Sequence, residues 1–309
     1  MGWLTKYGTI WGAIPQTAGN VYWVSAGDTY TVEGRTYSAS NDNDGLSPER
    51  ALRRVDRAVD LATGSGDVVV LLPGAHTVTA SIAADTANVT ITGLPGGRGN
   101  YLKPRTTLAC SAVDETMNVT AAGIEIAYIE FKSTTSQAAA LIDVSANGDE
   151  LYVHDCSFDL YTATAATTIL GIDSIGAHTG MLVERCHFSC DGAFGASIDL
   201  TASLGATVDN CIFRQTAGTL ASTITVGAAT DQAIIKSCVF MVHGSGVVTA
   251  NINGTGATIA SGVLVASCTF SDLNTVPIDN FDAAECEIVE CYEAGVGGTD
   301  GGVLITAIT

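Results

Sequence analysis

Leu151-Tyr-Val-His-Asp-Cys156-Ser-Phe158 is one copy of a repeat: an alternating apolar segment, a polar residue, Cys, any residue, then an aromatic. The other copies are Met181-Leu-Val-Glu-Arg-Cys186-His-Phe188, Ala206-Thr-Val-Asp-Asn-Cys211-Ile-Phe213, Ala233-Ile-Ile-Lys-Ser-Cys238-Val-Phe240, Val263-Leu-Val-Ala-Ser-Cys268-Thr-Phe270 and Cys286-Glu-Ile-Val-Glu-Cys291-Tyr292. An earlier copy, Ile124-Glu-Ile-Ala-Tyr-Ile129-Glu-Phe131, holds Ile129 in the cysteine slot. From position 129 to 291 the intervals are 27, 30, 25, 27, 30 and 23 residues. Asn88-Val-Thr-Ile-Thr92 reads as a still earlier rung.

Apolar alternation with a period of two marks a strand. The alternation breaks at the polar residue before Cys, which predicts a bend. A second apolar mark falls midway along each repeat, at Ile142, Ile172, Ile198, Ile224, Ile252 and Ile278. Two or three strands per coil predict a parallel β-helix, with like residues stacked ~4.8 Å apart. A leucine-rich repeat has a similar period, but the dense leucine pattern it needs is missing. Val153, Val183, Val208, Ile235, Val265 and Ile288 are expected to form one interior column, and Cys156 to Cys291 another. The chain has nine cysteines and no C-x-x-C pair, so buried, reduced thiols are expected rather than a metal site.

The N-terminal third reads differently. Ser47 is a good N-cap with Pro48 behind it, and Leu52, Val55, Val59 and Ala62 recur at helical spacing. A short helix here is expected to cap the open end of the solenoid. The string from Tyr37 to Leu52, the helix, and Gly66-Asp-Val-Val-Val-Leu-Leu-Pro-Gly74 together resemble the opening of pectate-lyase-like right-handed β-helix proteins. The Cys-x-Phe coils resemble the same superfamily, which implies an all-β, right-handed, single-stranded parallel β-helix with a short N-terminal capping helix. The opening Leu4-Thr-Lys-Tyr-Gly-Thr-Ile-Trp-Gly-Ala-Ile-Pro15 resembles the start of β-helical virion structural proteins of tailed bacteriophages. The expected divisions are an aromatic arm over 1–23, a capping region over 24–87 and a β-helix body over 88–309.

Of the 309 residues, 32 are acidic and 13 are Lys or Arg, for a net charge of −19. Residues 1–106 carry nine of each sign, whereas residues 107–309 carry 23 acidic side chains and only Lys132, Arg185, Arg214 and Lys236. A body this acidic repels phosphate backbones, so no nucleic-acid partner is expected. Mean hydropathy is +0.31, yet no apolar run reaches the ~18 residues of a membrane helix, and no membrane partner is expected. No secretory signal is read at the N-terminus, so synthesis in a host cytoplasm is expected.

Superfamily members include lyases that use calcium-binding carboxylates with an Arg or Lys base, and hydrolases that use aspartates on neighbouring coils. The residues after the mid-coil isoleucines form an acidic column: Asp143, Asp173, Asp199, Thr225, Asn253 and Asp279. Stacked coils would place Asp173 and Asp199 ~5 Å apart and Asp143 and Asp199 ~9.6 Å apart, close to retaining and inverting glycosidase spacings. Asp143, Asp173 and Asp199 are therefore the candidate catalytic residues. Because the column holds no Arg, Lys or His, the primary reading is a solvated stripe on a non-enzymatic protein. Asp42 and Asp44 before Gly45 are candidate metal ligands, although a turn-forming role suits them better and Ala51 stands where an EF-hand needs Glu. The five histidines are expected at the surface or in turns. No cofactor is expected.

The functional expectation is a structural component of a bacteriophage virion surface: a capsid decoration or head-fibre protein, or a tail-associated spike. Trp3, Leu4, Tyr7, Ile10, Trp11 and Ile14 are the expected docking residues toward other virion proteins. A homotrimer and a possible glycan ligand follow from the same resemblance. The alternative is a carbohydrate-active β-helix enzyme, a polysaccharide lyase or glycoside hydrolase, or a glycan-binding tailspike.

Overall fold

A computed structural model describes residues 19–94, 106–110, 115–133, 140–161, 170–192, 195–227, 230–243, 246–254, 262–271, 276–279, 286–293 and 303–305. The docking candidates Trp3, Leu4, Tyr7, Ile10, Trp11 and Ile14 lie outside the described residues.

The chain winds into a parallel β-solenoid; among the described residues it has three long sheets, two of ten strands and one of eight. The first sheet runs from Val21–Val24 through Val68–Leu71, Thr90–Gly93 and Tyr152–His154 to Cys286–Val289. The second carries the phenylalanines, and the third carries the mid-coil isoleucines. Register on the first sheet links Ile126, Val153, Val183, Val208, Ile235, Val265 and Ile288 rung by rung, as the repeat predicts. These side chains are buried, with Ile288 only partly so at the last rung.

One residue makes the bend between the first and second sheets. Tyr128, Asp155, Arg185, Asn210, Ser237, Ser267 and Glu290 all adopt φ between 50 and 55°. They occupy the slot before the cysteine column, where a left-handed residue turns the chain sharply at a cost of about 1–2 kcal/mol for any type but Gly. Behind the bend, Cys156, Cys186, Cys211, Cys238, Cys268 and Cys291 are buried and free, as are Cys190 on the second sheet and Cys286 on the first. The thiol of Cys186 points at the Val153 carbonyl, 3.7 Å away on the preceding coil, and Cys211 and Cys238 repeat this. Beside them Phe131, Phe158, Phe188, Phe213, Phe240 and Phe270 stack with centroids 4.4–5.3 Å apart and planes within 14°. The last copy departs from the pattern. Glu293 takes the register position of Phe270, and Tyr292 pairs with Thr269 and faces solvent.

The N-terminal helix is shorter than its apolar spacing predicts. Pro48–Arg50 is a single 3₁₀ turn, and the α-helix spans Val55–Leu61. Leu52 is extended between them because its N–H and C=O bond to the Trp23 carbonyl and the Ser25 N–H. Sheet pairing at the solenoid's open edge overrides local helical propensity there. The helix buries Val55, Ala58 and Val59 in the same core as Leu71 and Ile82. Solenoid coiling also begins earlier than residue 88: Val21–Val24 and Val68–Leu71 are the first two rungs, so Tyr22 and Trp23 lie in a strand.

Candidate active site

The third sheet carries the acidic column on its outer face. Ile142 and Val144 point inward and leave Asp143 between them facing out; Ile172 and Ser174 do the same for Asp173. Register sets Asn118, Asp143, Asp173, Asp199, Thr225, Asn253 and Asp279 side by side on consecutive rungs. The three candidate aspartates are therefore brought together as the spacing predicts. They are half-buried rather than freely solvated, which corrects the reading of a bare surface stripe.

Burial and mutual repulsion set their protonation. Burial, then the Asp173 carboxylate and Glu115, push Asp143 up to about 7. Burial and the Asp199 carboxylate push Asp173 up to about 6. Burial also raises Asp199, but the backbone N–H and side chain of Thr201 oppose it, the N–H at 2.8 Å. A carboxyl that keeps its proton near neutrality beside one that loses it is an acid and base pair. Asp143 Oδ1 and Asn118 Oδ1, on adjacent rungs, are screened from solvent and accept no hydrogen bond among the described residues.

Just inside this face lies a buried polar triangle. Ser174 Oγ is 2.9 Å from His178 Nε2, and Ser203 Oγ donates to Ser174 Oγ at 3.0 Å. Burial lowers the His178 pKa, so the ring is neutral. The triangle ties the turn after Asp173 to the turn after Asp199.

A second polar constellation on the first sheet escaped the sequence reading. His154 lies 2.9 Å from Glu125 and 2.8 Å from Asp155, and Asp155 also accepts from Arg185 at 2.8 and 3.1 Å. The Tyr152 ring stacks on His154 at 4.3 Å, and its hydroxyl donates to Glu184 at 2.6 Å. Burial alone would lower His154, but Asp155 and Glu125 outweigh it and raise the ring to about 9. Burial would raise Asp155, yet His154 and Arg185 hold it at about 2. Every member has a partner, so the network joins three coils rather than presenting free chemistry. Stacking the repeat copies in register would have revealed it, since Glu125, His154 and Arg185 fall on successive coils.

The histidine expectation is corrected at three positions: His76, His154 and His178 are buried. Of the metal candidates, Asp44 accepts the Leu46 N–H at 3.1 Å and pairs with Arg50 at 3.2 Å, and Asp42 lies exposed beside it. Among the described residues no group of three or more His, Cys, Asp or Glu side chains is arranged to hold a metal ion.

No protein-family model matches the chain, and no curated protein sequence matches it. Solved structures do. A pectin methylesterase from Aspergillus niger superposes with a TM-score of 0.57 at 15% identity, covering 95% of this chain and 92% of that one. A rhamnogalacturonan lyase gives 0.55 at 11% identity, covering 88% and 73%. A pectate lyase gives 0.53 at 10% identity, covering 92% and 83%. Likeness at these identities shows the fold, and it is the pectate-lyase-like β-helix that the sequence resembled. The named neighbours are carbohydrate-active enzymes, and no virion protein is among them. The expectation of a non-enzymatic protein is overturned by this finding.

Proposed function

We propose that the chain is a carbohydrate-active enzyme that hydrolyses a polysaccharide with an aspartate pair on its third sheet. The observation that carries this reading is the ladder itself: Asp143 and Asp173 are register partners on adjacent rungs, half-buried, and burial with mutual repulsion raises Asp143 to about 7 and Asp173 to about 6. Rungs ~4.8 Å apart match the ~5–5.5 Å of retaining glycosidases. Asp143 donates its proton to the glycosidic oxygen as the bond to the anomeric carbon breaks. Asp173 attacks that carbon and forms a glycosyl ester. Asp143, now a carboxylate, takes a proton from water, whose oxygen displaces Asp173 and regenerates both groups. Burial and Asp199, on the next rung, raise the Asp173 pKa and so set the pH at which the nucleophile becomes ionised. A lyase mechanism suits the site less well, since the ladder holds no Arg or Lys to serve as base. Neither a trimer nor attachment through residues 1–23 is needed for this chemistry.

The test is release of new reducing ends from a panel of plant, algal and bacterial polysaccharides. Wild-type protein is expected to cleave at least one, and Asp143→Asn and Asp173→Asn are each expected to lose activity ~10²–10⁴-fold. Activity unchanged in both variants, or no cleavage by wild type, defeats the reading.

A further inference from the structure

The charge map narrows the substrate class, an inference that rests on the hydrolase reading above. We infer that the ladder takes an uncharged, hydroxyl-bearing glycan and rejects polyanionic ones. From Thr107 onward the sequence holds four strong bases, and the structure places all of them away from the third sheet. Lys132 and Arg214 stand on the second sheet, Lys132 within 3.6 Å of Asp159. Lys236 is on the first sheet, 3.2 Å from Asp209. Arg185 sits at the bend between those sheets, bound to Asp155. The connections into the third sheet, residues 133–141, 162–171 and 192–197, contain no Lys, Arg or His. Those leading out of it, residues 145–151, 175–181 and 200–206, contain no Lys or Arg, and His178 among them is buried and neutral.

A polyuronate or sulfated glycan presents acceptor-only anions, which need cationic donors. The ladder answers with carboxylates, a threonine and asparagines, on a body whose residues 107–309 carry 23 acids and four bases. Repulsion at that face opposes a polyanion. Sugar hydroxyls suit the same groups, because each can donate to a carboxylate and accept from a protonated one.

The experiment measures binding of the Asp173→Asn chain by affinity electrophoresis in gels holding matched polymers. The pairs are hydroxyethyl cellulose with carboxymethyl cellulose, dextran with dextran sulfate, and methyl-esterified with de-esterified polygalacturonate. The neutral member of at least one pair is expected to retard the protein, and its charged partner at least ~tenfold less at low salt, with the gap narrowing at high salt. Equal or tighter retention by a charged member, with or without added calcium, overturns the inference. Wild-type protein that cleaves only anionic polymers leaves the hydrolase reading standing and removes this one. If no polymer of either kind is bound or cleaved, both fall.

Discussion

Asp143 and Asp173 lie directly opposite each other on adjacent strands of one parallel sheet, and the charge on the second helps keep the proton on the first. A parallel solenoid produces this arrangement almost unavoidably. When one residue type recurs at the same outward position of successive coils, its charges stack at the strand spacing. In a purely structural protein such a like-charge stack is a liability. Here the half-buried setting converts it into a graded set of acids.

The pH dependence of activity follows from that grading. The proposed mechanism needs Asp143 protonated and Asp173 ionised, so the rate is expected to follow a narrow bell with limbs at about 6 and about 7. The two limbs belong to the coupled pair rather than to single residues. Asp199→Asn is expected to shift the acid limb downward, since it removes the charge that helps raise Asp173. Initial rates across pH on a cleaved substrate check this, and an unmoved acid limb counts against it.

Stability should carry the opposite signature from most proteins in the same range. A carboxyl whose pKa rises on folding binds its proton more tightly in the folded chain than in the unfolded one. The stability it contributes is full below about pH 4 and is lost as pH rises to about 7. Asp143→Asn should therefore be the more stable protein at pH 8, by on the order of 1–2 kcal/mol after allowing for solvent screening. Denaturant titrations of both chains at acid and alkaline pH measure the difference.

His154 follows the same sign at higher pH. Its folded pKa of about 9 exceeds the ordinary 6.5, so its contribution is complete below pH 6.5 and disappears as pH rises through about 9. His154→Gln should lower stability at neutral pH by about 1.5–3 kcal/mol, the worth of hydrogen bonds to charged partners. The variant should also lose the alkaline decline. Thermal melts between neutral and alkaline pH separate it from wild type.

The coil repeat gives two predictions of opposite sign. Phe213→Ala opens a gap between the rings of Phe188 and Phe240 and should cost about 3–5 kcal/mol. Ser267→Gly relieves a φ of 52° at an exposed bend whose backbone N–H still reaches the Val289 carbonyl, and should gain about 1 kcal/mol. Chemical denaturation of each variant decides both.

Native alkylation should leave the stacked thiols unmodified. Burial raises Cys186 and Cys211 far above the usual thiol range, and the thiolate is the reactive form. Mass spectrometry after brief labelling is expected to find both masses unchanged until denaturant is added.

The solenoid was legible because its signals are local and recur: Val153, Cys156 and Phe158 announce strand, bend and strand in eight residues, and the next coil repeats them. Stacking of Asp143 on Asp173 followed from the same register. What the repeat could not convey was burial of the outer face. An outward aspartate reads as solvated, and only the folded structure shows that these are half-covered and hold protons near neutrality. A column without Arg, Lys or His favoured the non-enzymatic reading, which the enzyme neighbours overturn. The His154 network was missed because Glu125, His154 and Arg185 belong to different coils. Leu52 was drawn into the helix because its spacing fits, whereas its backbone pairs with the first strand.

Both proposed catalytic roles require that the ladder hold a proton near neutral pH, and carboxyl carbon-13 resonances of labelled protein report that without any substrate. The account predicts that Asp143 titrates at about 7 and Asp173 at about 6, and that Asp143 drops in the Asp173→Asn variant. Asp143 and Asp173 both titrating near 4, as exposed aspartates do, would contradict it.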